Sequence, residues 1–301
     1  MAEKTSSSKA SSSGSGIINQ LDEATINLIA AGEILQRPLN AVKELVENSL
    51  DSRANRIDVS LRRSGLKTLQ VADNGCGIVK QDLALLCRRF CTSKLSASAV
   101  ASASEQHQSL LSNLQSFGFR GEALASLSHS SRVEVRSKSL GGAAADEPSS
   151  QSSQACAFEA HYSDGRLIGE VKACAGNNGT IITAYDLFFN NKCRLAAFRE
   201  RDEMTLCIDY LMKIALHYPS IAFSLKDLDR DTIVFKTSGE SDPRAIISNL
   251  FNSNLRDELV SVMFDSDDPE FTCQGIFFLN SQYPKSISKN VIFNKIILFV
   301  S

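Results

Sequence analysis

The feature that most confines this sequence is a set of short period-two runs arranged in neighbouring pairs. Ile57, Val59 and Leu61 alternate with polar residues, as do Leu69 and Val71, and Ser64-Gly65 lies between the two runs. Alternation turns one face of a strand to the core and the other to water, and so short a connection joins antiparallel neighbours. Further strands are expected at 132–136, 156–162, 166–173 and 179–185, the middle pair joined at Ser163-Asp164-Gly165, and at 221–225 and 232–236. Helical spacing fills much of the rest. One helix opens at Asp22, an N-cap residue type, and is interrupted at Gly32; a second follows Pro38, with Leu39, Val42, Val46 and Leu50 as its apolar stripe. A third runs through Leu83, Leu86, Cys87 and Phe90, a long one spans 194–217, and another lies near 244–251. The sum is an α+β fold, a mostly antiparallel sheet with helices packed on one face.

Three stretches fall outside this pattern. Residues 1–16 are mostly Ser, Lys and Gly and have little to bury, so a disordered tail is expected; Ser/Ala- and Gly/Ala/Ser-rich insertions lie near 95–113 and 139–155. A composition shift at 238–243 marks a linker, followed by apolar strand-like runs at 271–279 and 291–300. The latter is about half a membrane helix in length and contains Lys295, so no membrane span is expected. With 32 basic and 34 acidic residues the net charge is −2, which argues against tight DNA binding by charge alone and leaves only a local basic patch for such contact. The eight cysteines form no CxxC pair and only four histidines are present, so a structural zinc site has little support. The cysteines are expected to be reduced, most of them as small buried apolar residues.

Four groups of residues carry chemistry. Glu44, Asn48 and Asp51 lie at i, i+4 and i+7 of the second helix and share one face. An ordinary amphipathic helix would show the same pattern. Equally, a carboxylate there can deprotonate water, and an amide oxygen one turn on can ligate Mg²⁺, which demands oxygen ligands. The Asp73-Asn74-Gly75-Cys76-Gly77 segment reads as a turn, or as a place where Gly75 and Gly77 let the backbone approach a planar base while Asp73 accepts from an exocyclic amine. Thr92-Ser93-Lys94 closes one helix, and Gly118 to Leu124 opens another; together they could form an anion site under a flexible lid, although no GxxxxGK[ST] P-loop occurs. Gly179-Thr180 at the start of a strand says nothing by itself.

The order E-x₃-N, DNGxG, TSK…GFRGEAL, GT resembles the GHKL ATPase family shared by gyrase, a class of heat-shock chaperones, histidine kinases and MutL. Within it, the segments at 29–33, 43–51 and 118–124 resemble the MutL-type DNA mismatch repair proteins, and those at 36–41, 125–129 and 174–180 are most similar to the eukaryotic MutL homologue 1 branch. The resemblance implies a Bergerat-type ATPase sandwich over 17–238, with part of a second, ribosomal-S5-like domain over 239–301. It implies ATP and Mg²⁺ as cofactors, Glu44 as general base, and Asn48 as metal ligand. Asp51, Asp73, Gly75 and Gly77 are implied to bind nucleotide, with Asp73 reading adenine and Thr180 supporting it. Thr92, Ser93 and Lys94, with Gly118, Phe119, Arg120, Gly121, Glu122, Ala123 and Leu124, are implied at the phosphate end and lid. Also implied are a nuclear location, heterodimerisation with a MutL-family paralogue, a MutS-type mismatch-recognition complex as partner, and weak, salt-dependent, sequence-independent DNA contact.

Some departures qualify this. The family's second domain runs on to an Asn-Val-His-Pro-x-Lys segment whose lysine reaches the γ-phosphate, and residues 1–301 contain neither this nor the family's C-terminal dimerisation domain. The expectation is ATP binding with slow turnover, the alternative being a hydrolysis-deficient nucleotide- or partner-binding module. The apolar run 291–300 is expected to lack neighbours and to favour aggregation. At 191–195 the sequence has Asn-Lys-Cys-Arg-Leu where relatives carry paired arginines, which weakens any basic DNA-contacting surface there.

Overall fold

The computed structural model describes residues 20–94, 116–118, 121–139, 156–239, 242 and 244–247, and the backbone of strands at 259–267, 270–278 and 296–300. The expected tail at 1–16 and the insertions near 95–113 and 139–155, Ser139 apart, lie outside the described residues. Two helices come first, α1 (Glu23–Ile34) and α2 (Pro38–Asp51), then strands β1 (Arg56–Arg62) and β2 (Thr68–Asp73). Helix α3 (Ala123–Ser130) leads into β3 (Arg132–Lys138), β4 (Ala157–Ser163), β5 (Arg166–Cys174) and β6 (Gly179–Tyr185). Helices α4 (Lys192–Ala197) and α5 (Glu200–His217) precede β7 (Ala222–Asp227) and β8 (Thr232–Lys236).

These eight strands form one sheet in the order β5-β4-β3-β6-β2-β1-β7-β8. Its pairs are antiparallel except β1 with β7. Register lines up the inward residues across six strands. Leu225, Val59, Val71, Ile182, Val135 and Ala160 form one continuous row, all buried. Onto these rows pack Val42, Leu45 and Val46 of α2, Leu127 of α3, and Cys207, Leu211 and Ala215 of α5, in one core. The opposite face is polar: Ser224 Oγ donates to Asp58 (2.6 Å), Gln70 Nε2 to Thr183 Oγ1 (3.0 Å) and Arg136 Nε to Glu159 (2.8 Å). The expected arrangement of a mostly antiparallel sheet with its helices on one face is therefore the one observed.

Local chemistry explains most element boundaries. Asp22 caps α1, its carboxylate accepting from the Thr25 amide at 3.1 Å, and Pro38 opens α2 where no amide donor is needed. The expected break at Gly32 does not occur: α1 runs through it to Ile34, and the Arg194 guanidinium donates to the Gly32 and Leu35 carbonyls. The expected helix through Leu83–Phe90 is instead a single 3₁₀ turn, Asp82–Ala84, followed by turns. The Tyr162 hydroxyl takes the Leu83 carbonyl at 2.6 Å, the acceptor an α-helix would need for residue 87, while Leu85 and Arg88 close i→i−3 bonds.

The long helix at 194–217 is two helices. Asn191 caps α4, its side chain accepting from the Arg194 amide at 2.9 Å, and Phe198 and Arg199 are extended, with Phe198 stacked on Phe188 at 5.5 Å. Acidic Glu200, Asp202 and Glu203 then suit the new N-terminus of α5. Of the seven described cysteines, all free, Cys87 and Cys207 are buried but Cys76 and Cys193 are exposed, contrary to the expectation that most serve as core. Beyond the linker only 244–247 of the expected helix are described as helical. A three-stranded sheet follows, β9 (Leu259–Asp267), β10 (Glu270–Phe278) and β11 (Ile296–Val300), in the order β11-β10-β9. β9 was not anticipated, and the last apolar run has a neighbour after all, since β11 pairs with β10.

One buried ion pair sets α2 against α5. Arg37, the N-cap residue of α2, reaches Glu203 through both Nε and Nη2, and the Glu203 side chain is 1% exposed. Arg37→Ala leaves that carboxylate buried and unpaired. Because the arginine is itself half-exposed, water shares in the pair, and the expected loss is about 2 kcal/mol by urea denaturation. Arg37→Met with Glu203→Leu should recover most of it.

Candidate functional site

Helix α2 divides into two faces. Ala41, Val42, Leu45 and Val46 are buried in the core, while Glu44, Asn48 and Asp51 turn toward a cleft of about 1550 Å³ between α2, the sheet end and the segments around 76–94, 116–118 and 121–124. Burial raises the proton affinity of Glu44, and the nearby charges of Lys43 and Lys94 offset that only in part. Its neighbour Glu47 is raised in the same way and pairs with Lys43 at 3.7 Å.

The floor of the cleft is the place where the apolar rows of the sheet fail. The row beside Val59–Val71–Ile182 reads Phe223, Ile57, Asp73, Thr180, Ser137 and Phe158. Three successive strands thus put a polar residue where the pattern calls for an apolar one. Ser137 Oγ lies 2.9 Å from Thr180 Oγ1, donates to the Gly179 carbonyl and accepts from the Ile78 amide. Asp73 accepts from the Gly75 amide (2.8 Å), Ser49 Oγ (3.0 Å) and Ser52 Oγ (3.4 Å), and backbone Thr180 also favours its charge. Burial nevertheless leaves its proton affinity raised. At Gly75 and Gly77 the space a Cβ would take is already filled. At Gly75 it would lie 1.9 Å from Ser52 Oγ, and at Gly77, with φ +72°, 2.2 Å from the Lys138 carbonyl oxygen. Gly77 lines the cleft and Gly75 does not.

At the other end, Lys94 crosses from its loop to α2. Its ammonium donates to Asn48 Oδ1 at 2.9 Å and Asp51 Oδ2 at 2.5 Å. Asp51 also accepts from the backbone amides of Phe117 (3.0 Å) and Gly118 (3.2 Å), so one carboxylate gathers both loops. Thr92 Oγ1 accepts from the Lys94 amide, and Thr92 and Ser93 line the same cleft. Gly121, at φ +63°, packs on the Cys91 backbone, and its carbonyl accepts from Phe90. Ala123 and Leu124 face the cleft at the start of α3. Glu122 faces it too, but its carboxylate is held by Arg89, which also donates to Asn27 of α1. Phe119 and Arg120 lie outside the described residues.

The structure thus brings to one cleft Glu44, Asn48, Asp51, Asp73, Gly77, Thr92, Ser93, Lys94, Gly118, Gly121 to Leu124 and Thr180, from segments far apart in sequence. Ser49, Ser52 and Ser137 were not anticipated. For Ser49 and Ser137 the signal was a polar residue at a buried position of a helix or strand, visible only once register is known; Ser52 is the half-buried C-cap of α2. The Asn48 and Asp51 oxygens converge on a single cationic atom, so this spot accommodates positive charge.

Comparison with known proteins is consistent with this geometry. The family described as Histidine kinase-, DNA gyrase B-, and HSP90-like ATPase matches residues 36–159. DNA mismatch repair protein MLH1 of Saccharomyces cerevisiae is 38% identical over 245 residues, covering 81% of this chain and 29% of that protein. The putative MutL protein homolog 1 of Schizosaccharomyces pombe is 42% identical over 72% of this chain and 29% of its own length. DNA mismatch repair protein MutL of Allorhizobium ampelinum is 36% identical over 83% of this chain and 37% of its own length. The chain therefore spans 29 to 37% of the length of these relatives. Among solved structures, the Aquifex aeolicus MutL ATPase domain complexed with ADP superposes with a TM-score of 0.59, at 19% identity, over 88% of this chain and 92% of that one. The N terminal domain of a DNA repair protein gives 0.65, at 23% identity, over 85% and 72%. At these identities the structures speak to the fold alone.

The glycine geometry gives a direct test. Gly77 and Gly169 share a positive φ, +72° and +71°, but a Cβ at Gly169 meets nothing within 4 Å. Gly169→Ala should cost about 1 kcal/mol from backbone strain alone, and Gly77→Ala about 2 kcal/mol beyond that, compared by chemical denaturation.

Proposed function

The chain belongs to the GHKL ATPases, in their MutL-type branch, and from that premise we propose that it binds ATP with Mg²⁺ in the α2 cleft and hydrolyses it slowly. The observation that carries this is the single cleft into which Glu44, Asn48 and Asp51 face, with buried Asp73 at one end and Lys94 at the other. Asp73 has the acceptor capacity to take the exocyclic amine of adenine, with Thr180 and Ser137 holding the adjoining polar row. Asn48 Oδ1, with Asp51 beside it, would hold Mg²⁺, which when bound neutralises phosphate charge. The fit is supported by the cationic atom these two oxygens already share. Lys94 leaves them as the nucleotide arrives and turns its charge to the phosphates, while the amides of Gly118 and of Gly121 to Leu124 close over the same end. Glu44 takes a proton from the water that attacks the terminal phosphorus, and the ADP oxygen leaves on the opposite side.

We further propose that this ATPase serves DNA mismatch repair, in a nuclear protein paired with a MutL-family paralogue and answering to a MutS-type mismatch-recognition complex. Residues 239–301 are read as part of a second domain. Nucleotide-driven closure of the segments carrying Thr92 to Lys94 and Gly121 to Leu124 would then turn nucleotide state into conformational state. DNA contact is weak and electrostatic. Its affinity for a random duplex should fall at least tenfold between 50 and 200 mM salt, and salt-independent binding would refute it.

Binding of a non-hydrolysable ATP analogue, with and without Mg²⁺, tests the pocket. Saturable Mg²⁺-dependent binding is expected for the whole chain and should be lost in Asn48→Ala. Glu44→Ala should keep that binding and reduce hydrolysis at least a hundredfold; equal rates in mutant and parent would leave a binding module without catalysis. Because Glu44 acts deprotonated and burial raises its proton affinity, activity should fall on the acid side at a pH above the ~4.3 of a free glutamate.

A further inference from the structure

The two oxygens assigned to Mg²⁺ already hold a cation that belongs to the chain. Lys94 Nζ lies 2.9 Å from Asn48 Oδ1 and 2.5 Å from Asp51 Oδ2. An ammonium only donates, so the Asn48 amide must turn its oxygen, not its nitrogen, to this point. Charge pairing alone does not explain the choice. Glu44 and Glu47 line the same cleft on the preceding turns of α2, yet Lys94 bridges one carboxylate and one neutral amide oxygen. Oxygens of these two kinds are what a hard divalent cation takes as ligands.

The contact is enclosed. The Asp51 side chain is 7% exposed and that of Lys94 22%. Across it lie Phe117 and Gly118, whose amides both donate to Asp51. A Cβ on Gly118 would stand 3.1 Å from Lys94 Nζ and 3.1 Å from Asn48 Oδ1, so the backbone there covers the pair directly. The Phe117 ring meets Tyr218, just past α5, edge to face at 6.2 Å, which holds that cover from the other side.

Mg²⁺ sits about 2.1 Å from its oxygen ligands, so it cannot share these two oxygens with an ammonium at hydrogen-bond distance from both. Like charges that close repel strongly in a part-buried site. We propose that Lys94 is an autoinhibitory occupant of the metal position, a tethered cation that excludes free Mg²⁺ from the empty cleft. This rests on the reading of the cleft as a site for Mg²⁺ and nucleotide. Free metal offers Lys94 no new partner. A nucleotide does, because its phosphates carry negative charge to which the ammonium can turn on leaving Asp51. Metal therefore enters only with phosphates, and one side chain couples the two binding events.

The test is Mn²⁺ binding to the whole chain without nucleotide, followed by the electron paramagnetic resonance of the free ion. The parent should show no saturable site up to about 1 mM Mn²⁺, and Lys94→Met, with Lys94→Ala as a second variant, should bind at least about tenfold more tightly. Adding Asn48→Ala to Lys94→Met should abolish the gain. Lys43→Met removes the same charge from the same cleft without touching these oxygens, and should bind like the parent. With a non-hydrolysable ATP analogue and Mg²⁺ the sign reverses: Lys94→Met should bind about tenfold more weakly than the parent, because the phosphates lose a cation. A saturable site in the parent, or no gain in either Lys94 variant, overturns the role of Lys94 and leaves the proposed function standing. An equal gain in Lys43→Met would trace the effect to the general field of the cleft and overturns it too. A parent that fails to bind the analogue overturns the proposed function, and this inference with it.

Discussion

One buried carboxylate organises the end of this sheet. Asp73 closes β2 on the inner face, where an unpaired charge would be costly, so its surroundings must supply donors. They come from the last turns of α2 through Ser49 and Ser52, from the following turn through the Gly75 amide, and from β6 through backbone Thr180. Helix, turn and strand are therefore registered to the same two oxygens. The glycine pattern after Asp73 follows from this, because the chain must fold back so tightly that Ser52 and the Lys138 carbonyl occupy the Cβ positions of Gly75 and Gly77.

The second organising group is Asp51, about four turns along α2 from the Arg37–Glu203 anchor. It binds Lys94 from one loop and two amides from another, so segments separated by 43 and 66 residues in sequence are held to one helix end. The face of α2 that the cleft exposes is strongly acidic, with Glu44, Glu47 and Asp51 on successive turns. Burial raises the proton affinity of the first two. Lys94 offsets the third by direct contact, which is the electrostatic requirement that a cation or a phosphate-bound metal would also meet.

Much of this was legible in the sequence where the signal is local. The alternation at 57–61 and 69–71 fixed a hairpin, Asp22 and Pro38 marked helix starts, and the i, i+4, i+7 spacing put Glu44, Asn48 and Asp51 on one face. It failed where a distant group competes for a local bond. The helical spacing of Leu83 and Cys87 is real, and both are buried, but the chain closes i→i−3 bonds here while Tyr162 from β4 donates to the Leu83 carbonyl. That Ser137 continues the row from Asp73 and Thr180 was invisible for a related reason, since the three come from three strands and only register shows that they adjoin.

Helix α1 is built differently from its neighbours. Ala31 is its one buried residue, and Ile26, Leu28 and Ile29 are each about half exposed. Its attachment rests on packing against α3, on Arg89 reaching Asn27, and on Arg194 capping its last carbonyls. Those arginine links are charge-assisted and part-solvated, whereas α2 and α5 are fastened by the common core. Detaching α1 would therefore expose little that the sheet needs, so it forms a separable cooperative unit. Its opening free energy is set by its packing on α3 and by two guanidinium contacts rather than by the global stability of the domain, and amide exchange would register it as a layer distinct from the rest.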